Sequence, residues 1–500
     1  MQIHWHRDDL RASDNRGLAA AAGATNAAGD PATTGDAPAP DAGSADGAVP
    51  VFVFDDGILE HAGDTRVRFM LDSLAALRAR YRDRGSDLVV ARGDPAAILP
   101  DLAAEYGADR VVWNEGYSGL ARDRDERVAD ALDERGVAWA SFHDDIVHEP
   151  GSITTNAGDP YSVFTYFGRK WADRPKPDPI EPPTAESLAA VDGDPLPSIE
   201  DLGFEEPDAD VEAAGTDAAR ERLAAFTSDG IYRYDEDRDY PTRDAVSRLS
   251  THLKWGTIGV REVYAATEDA RERAEGGAVD VEGFTPEEQV ESVEEFQSQL
   301  AWREFYTHVL YFNPNVVSEN YKEYENDIEW RDDPDELRAW KRGETGYPIV
   351  DAGMRQLREE AYMHNRVRMI VASFLTKDLQ IDWREGYAHF REYLADHHTA
   401  NDNGGWQWAA STGTDAQPYF RIFNPMTQGE RYDPEAEYIT EYVPELRGLD
   451  ADLIHGWHEL SPTQRANAAP GYPAPIVDHS ERREDALAMY KRARGEDPEE

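Results

Sequence analysis

Along the first 150 residues, short apolar runs alternate with amphipathic stretches. The runs at residues 3–5, 49–54, 88–91, 110–114 and 137–141 predict strands, and the stretches between them predict helices. That order folds as a parallel α/β sheet. Residues 24–48 break the pattern: they are nearly all Ala, Gly, Asp, Pro, Thr and Ser, which cannot bury a core, and they predict a disordered surface insertion without chemistry. Residues 151–225, rich in Pro, Asp and Glu, read as a long connector. Helical periodicity then dominates from 226 to 490. The predicted class is α/β followed by α: a Rossmann-like N-terminal sheet domain over 1–150, the acidic connector, and an all-helical domain over 226–490. No internal repeat stands out, and no Gly-x-Gly-x-x-Gly follows the first strand, so the α/β domain lacks the usual dinucleotide fingerprint.

Composition changes the picture in three places. There is no cysteine among the 500 residues, which excludes disulfides, thiolate metal sites and cysteine nucleophiles. No apolar run approaches the length of a membrane span, and the N-terminus begins as a short strand rather than a signal peptide, so a soluble cytoplasmic monomer is expected. The formal charge is −49, with 100 acidic residues against 51 basic ones, of which seven are lysine. Such a surface stays hydrated in molar salt while its self-repulsion is screened, and it suits an organism that keeps molar salt in its cytoplasm. Charge alone argues against nucleic acid as a partner.

Two segments concentrate chemistry. Around residues 362–374, Met363, Val367, Ile370, Val371 and Phe374 share one helix face, while Asn365, Arg368, Met369 and Ala372 share the other. Asn and Arg three apart, opposite a core face, suit a flat polar ligand, although an interhelical salt bridge explains them as well. The segment from Asp396 to Trp408 packs polar, glycine and aromatic residues more densely than a core requires. Its adjacent histidines, His397 and His398, project apart and no third ligand has sensible spacing, so no metal is expected. Tryptophans at 302, 330, 383, 406 and 408 fall in the helical region, where core packing is the ordinary role of a bulky aromatic.

The order of motifs is more telling than any one of them. Trp-His-Arg-Asp-Asp-Leu-Arg at 5–11, Ser-Arg-Leu-Ser at 247–250, Trp-Arg-Glu-Phe at 302–305, Gly-Tyr-Pro at 346–348, His-Asn-Arg at 364–366 and Asn-Gly-Gly-Trp-Gln-Trp at 403–408 follow one another along the chain. This order resembles the photolyase and cryptochrome family, over nearly the whole chain except the insertion and the connector. The run 404–425 is most similar to bacterial class I cyclobutane pyrimidine dimer photolyases.

The resemblance implies FAD within the helical domain, held at Tyr234, Ser247, Arg248, Leu249, Ser250, Asn365, Arg368, Asp396, His398 and Asp402. Ser247 and Ser250 are expected to begin a helix whose free amides suit a diphosphate, or simply to cap it. It implies blue-light repair of a dimer flipped out of damaged DNA. Trp302 and Trp408 match the walls of the lesion pocket, Asn365 and Met369 its floor, and Arg238, Arg366 and Arg421 the grip on flanking phosphates. Trp406, Trp383 and Trp330 match a relay of electrons to the flavin.

Two positions depart from the pattern. Asp402 stands where dimer photolyases have an asparagine facing flavin N5, and Gln299 where they have a glutamate bonding the dimer. The expectation is that acid and amide have exchanged places, with Asp402 taking over proton donation. Aspartate at that position also occurs in plant-type cryptochromes, which makes a blue-light photoreceptor the alternative; against it, only about ten residues follow the apolar stretch 486–490, with no signalling extension. For the antenna pigment that the family's α/β domain often holds, the segment 113–125, with its Arg122, Asp123, Arg124 and Asp125, is closer to deazaflavin binders than to folate sites. An 8-hydroxy-5-deazaflavin is therefore expected rather than folate.

Overall fold

Strands form where the apolar runs predict them. In the computed structural model, which describes residues 1–23, 33–34 and 47–497, β1 (Gln2–His6), β2 (Thr33–Thr34), β3 (Ala48–Phe54), β4 (Val89–Arg92), β5 (Arg110–Asn114) and β6 (Ala138–Phe142) make one sheet. The order is β2-β6-β5-β1-β3-β4, parallel except for β2, which pairs antiparallel with β6. Each of the five parallel strands lies within one residue of its expected bounds. The expected insertion at 24–48 falls outside the described residues except at 33, 34, 47 and 48.

Both β1 and β3 are buried along their whole length. A parallel strand covered by helices on both faces has no polar side to show, which is why these runs do not alternate. In register, Trp5 of β1 lies beside Val51 of β3 and Trp113 of β5, and Trp113 stacks on Trp139 at 5.3 Å. Helix ends follow local chemistry. Pro95–Tyr106 starts with an Asp94 cap and a proline in its first turn, and stops at Gly107, whose φ of 62° suits glycine.

Backbone contacts divide the chain into two compact units: Met1–Pro207, Glu212–Asp235 and Ser247–Pro314 in the first, and Asp208–Val211, Glu236–Val246 and Asn315–Glu500 in the second. This division differs from the expected boundaries at 150 and 225. The stretch read as a connector carries the helices Phe164–Asp173 and Gly215–Ser228 and buries Ile153, Phe167, Trp171, Ile180, Leu188 and Leu202 in the first unit. Its apolar residues are spaced too irregularly, among Pro and acids, to show a period. The long helix Pro286–Phe312, entered through a Thr285 capping box with Glu288, also belongs to the first unit.

The second unit is helical around a core that includes Trp340, Tyr347, Met354, Phe374, Trp383, Phe390 and Trp406. Helix Asn365–Ser373 turns the predicted face inward: Val367, Ile370 and Val371 are buried, as are Met363 before it and Phe374 in the wider turn that continues it. Among the described residues, no helix is long and apolar enough to cross a membrane.

Candidate functional site

Four ionisable side chains meet inside the second unit: Arg368, Asp396, His397 and Asp402. Arg368, on helix Asn365–Ser373, donates from Nη2 to Asp396 Oδ2 at 2.7 Å and from Nε to the Met363 carbonyl at 2.8 Å. Its Nη1 lies 3.7 Å from Asp402 Oδ1. Asp402 stands in the first turn of helix Thr399–Ala409, where its Oδ2 accepts the His398 N–H at 2.9 Å and lies 2.8 Å from His397 Nδ1. His398 caps the helix, its Nδ1 accepting from Asn401 N.

Electrostatics follow from that geometry. Burial alone pushes the Asp402 carboxyl up, but His397, Arg368 and the His398 N–H outweigh it and hold Asp402 below the usual carboxylate range. Burial alone lowers Arg368; Asp396 and Asp402 outweigh it and keep the guanidinium charged. This direction runs against the expectation of Asp402 as proton donor, because the groups around it favour the ionised form. Asp396 Oδ1 is buried and has no hydrogen-bond partner among the described residues, and the same holds for the Trp406 indole Nε1. Buried polar atoms are rarely left so, and a bare carboxylate oxygen beside a guanidinium fits a ligand that offers an N–H. That is the donor edge of a flavin ring, so the residues present fit FAD.

Around this cluster, Asn365 is exposed one turn from Met369, its Nδ2 3.9 Å from the Met369 sulfur. Trp406 is buried against Phe390, at 5.0 Å between ring centres, and Trp340, at 6.0 Å. Gly386 makes room for it, because a Cβ there would sit 2.0 Å from the indole. Trp383 is buried with its N–H on Asn320 Oδ1 at 2.9 Å, and Trp330 packs at the core's edge, 6.2 Å from Tyr490. Trp408 is half-buried beside Phe423. Arg366 donates to Asp239 Oδ2 at 2.6 Å and lies over Tyr432, Arg238 is half-buried, and Arg421 is exposed.

The remaining expected residues lie in the first unit. Tyr234 packs against Phe226 and Phe296. Trp302 stacks on Phe164, with 3.7 Å between ring centres and 11° between planes. Gln299 donates to Glu295 Oε1 at 2.8 Å, so a carboxylate remains one turn from the position where an acid was expected. The serines differ from expectation. The helix runs only over Ser250–Lys254, with Leu249 at its cap and no side-chain cap bond; Ser247 lies before it, accepting the Leu249 N–H, and Arg248 has a φ of 49°. A helix of five residues sums only a small dipole, so the dipole argument for these serines weakens.

In the segment 113–125, Ser118 caps helix Gly119–Arg135, and Leu120 is exposed. Arg124 and Arg7 both lie 4.9 Å from the Trp5 ring, and Arg7 pairs with Asp125. His397 was missed as anything but a rejected metal ligand, and its partner lies five residues on. Also missed were His4, His6 and Asp9, whose ligand atoms lie within 4.8 Å of one another. Most of their polar atoms are committed: Asp9 accepts from Arg7 N, Asn15 and Asn114, His6 contacts the Asp9 carbonyl and the Tyr81 hydroxyl, and His4 Nε2 lies 3.2 Å from Asp9 Oδ2, while His4 Nδ1 is buried without a partner among the described residues. A cavity of about 610 Å³ in the second unit is lined by Tyr324, Ser411, Tyr419, Phe420 and Arg494, away from the Arg368 cluster.

Comparison with known proteins bears on this arrangement. Residues 2–186 match the family described as DNA photolyase, and residues 296–492 match the FAD binding domain of DNA photolyase. A deoxyribodipyrimidine photo-lyase from Halobacterium salinarum is 63% identical over 503 residues, covering 99% of this chain and 100% of that protein. The structure of a bacterial class III photolyase from Agrobacterium tumefaciens aligns with a TM-score of 0.85 at 36% identity, over 99% of this chain and 98% of that one. An archaeal photolyase from Sulfolobus tokodaii, solved with two FAD molecules, aligns with a TM-score of 0.79 at 30% identity, over 98% and 99%.

Proposed function

The chain belongs to the DNA photolyase family, and on that premise we propose that it repairs cyclobutane pyrimidine dimers in DNA under blue light, with FAD bound in its helical part. The observation that carries this is the buried, unpartnered Asp396 Oδ1 beside the charged Arg368. Bound there, reduced FAD would supply light-driven one-electron chemistry in which the electron lent to the dimer returns, with no net redox change.

The protein's own residues do the rest. Asp396 accepts a ring N–H, and Arg368 places positive charge beside it, while Tyr234, Ser247, Arg248, Leu249, Ser250, Asn365 and His398 complete the hold on the cofactor. Trp302 and Trp408 offer aromatic faces to a flipped-out dimer, with Asn365 and Met369 beneath it and Gln299 as a polar contact. Flipping costs less for a dimer than for an intact pair, because the lesion already stacks badly. Arg238, Arg366 and Arg421 grip phosphates, local exceptions to an acidic surface. Trp406, Trp383 and Trp330 pass electrons inward to keep the cofactor reduced.

The class I placement rests on the 404–425 run; the Agrobacterium structure, at 36% identity, is a class III photolyase. For the antenna we retain 8-hydroxy-5-deazaflavin, on the Arg122 to Asp125 pattern; the Sulfolobus protein with two FAD molecules makes a second flavin the competing outcome. Chromatography of pigment released from the purified protein separates these. The protein is taken to act as a soluble monomer.

The test of function is repair of a thymine-dimer oligonucleotide by the reduced protein in molar potassium chloride, under blue light and in the dark. Restored pyrimidine absorbance only in the light is expected. No restoration with reduced FAD bound would overturn the proposal and favour a photoreceptor.

A further inference from the structure

We infer that His397 is a positioning residue: it carries the proton of a His397 and Asp402 pair and so keeps Asp402 an ionised acceptor toward the flavin. The inference rests on the flavin reading above.

The argument begins with charge. An aspartate in place of the family's asparagine adds a negative charge to a buried site, and an isolated buried carboxylate is expensive. Arg368 is the obvious counter-ion, but it already donates to Asp396 at 2.7 Å and approaches Asp402 only to 3.7 Å. One guanidinium thus faces two carboxylates. His397 supplies the second cation, its Nδ1 2.8 Å from Asp402 Oδ2 and its side chain 3% exposed, where bulk salt screens little. With His397 protonated, two cations and two anions balance, and the position at 402 is as neutral overall as the asparagine it replaces.

Groups on every neighbouring element bear on the pair. Asp396 and His398 flank His397 in the chain, and Arg368 faces Asp402 from helix Asn365–Ser373. The Tyr387 ring of helix Trp383–Tyr393 meets the imidazole edge-on, at 5.3 Å and 65°. The protein's difference from an amide at 402 is then a proton that can leave. Once pH rises past the point where His397 gives its proton to water, the cluster becomes net negative and opposes electron addition to the flavin. The bound flavin's midpoint potential should therefore fall through that pH range.

The experiment uses the FAD-loaded protein in molar potassium chloride, after flavin per chain has been counted. Infrared pH-difference spectra read the carboxyl of Asp402, and spectroelectrochemistry reads the flavin potential against pH. The forms compared are the unaltered protein, His397→Gln, Asp402→Asn and the double variant. Expected is no protonated Asp402 carboxyl at neutral pH in the unaltered protein. In His397→Gln its titration should rise by roughly one to three pH units, as loss of a close opposite charge predicts. The fall in potential should move to lower pH in Asp402→Asn, follow the titration of Asp402 instead in His397→Gln, and vanish only in the double variant.

Three results overturn the inference: a carboxyl band at neutral pH in the unaltered protein that Asp402→Asn removes, an unchanged Asp402 titration in His397→Gln, or an unchanged potential curve in that variant. Failure to bind FAD at all sinks the flavin reading instead. Should His397→Gln not fold, Asp402→Asn reads the coupling from the other side, because the His397 ring nitrogens must then lose their proton at lower pH. Unchanged nitrogen resonances would overturn the inference.

Discussion

Two buried clusters of charge, one in each unit, have the same count of ions and opposite outcomes. In the first unit, Arg261 donates to Asp14 Oδ1 and to Asp144 Oδ1, both at 2.6 Å, and Arg11 pairs with Asp144. The other bonds to these carboxylates come from backbone: Ile180 N and Glu262 N to Asp14, Arg16 N to Asp144. Nothing is left over, and even Gly259 is pressed so close that a Cβ would lie 1.8 Å from Asp14 Oδ2. In the second unit, Arg368, His397, Asp396 and Asp402 also balance when His397 is charged, yet Asp396 Oδ1 stays unpartnered. A closed network holds a fold together, and one with a spare acceptor is built for something that arrives later.

Acid breaks the comparison most broadly. His4, His148, His252 and His308, all in the first unit, are lowered by burial from 6.5 to about 4. Each favours the neutral form in the folded state, so its contribution is complete above 6.5 and is lost as pH falls through about 4, at about 1.4 kcal/mol per pH unit for the deeply buried His4, His252 and His308 and less for the half-buried His148, which solvent screens. The second unit has His364, lowered to about 4, and His389, to about 3. Hydrogen exchange between pH 6.5 and 4 in molar salt should show the first unit opening first; the reverse order would count against this account.

Next in size is Arg261→Met. It strands two buried carboxylates and should cost about 3–5 kcal/mol of stability, read by denaturant unfolding, with flavin retention unchanged per folded chain. Asp396→Ala should do the opposite, lowering FAD affinity by roughly 30-fold, about 2 kcal/mol for a charged hydrogen bond, with a smaller loss of stability. If Asp396→Ala destabilised the fold as much as Arg261→Met and left FAD affinity intact, the distinction between closed and open clusters would fail. The smallest effect is at the surface. Arg421 is exposed and has no acidic partner among the described residues, whereas Arg366 is already paired with Asp239. Arg421→Ala should weaken dimer-DNA binding by about five-fold and Arg366→Ala by less, in a binding assay whose salt dependence is shallow because molar salt leaves little counterion release to gain.

Local pattern carried most of the fold. The parallel strands and the inward face of helix Asn365–Ser373 were legible because a strand or a helix face depends on residues only a few positions apart. The stretch 151–225 was not legible as part of the first unit, since its buried Phe167 and Trp171 are held by packing distant in the chain. Of the site, the residues could be named by resemblance but their states could not. Asp402 was expected to hold a proton, and Ser247 with Ser250 to open a helix. The first turns on which groups fold up against the carboxylate, here His397 and Arg368, and together they lower it. The second holds for Ser250, where the helix starts, and fails for Ser247, because Arg248 takes a φ of 49° and stops the helix from starting earlier. The sequence by itself determined the class of fold and the family, and offered a roster of candidate residues, because short-range periodicity and ordered motifs survive in one dimension. Only the tertiary structure decided which carboxylates are closed off, which one waits with a free oxygen, and which groups stand beside it, because those depend on distances of a few ångströms between residues far apart in the chain.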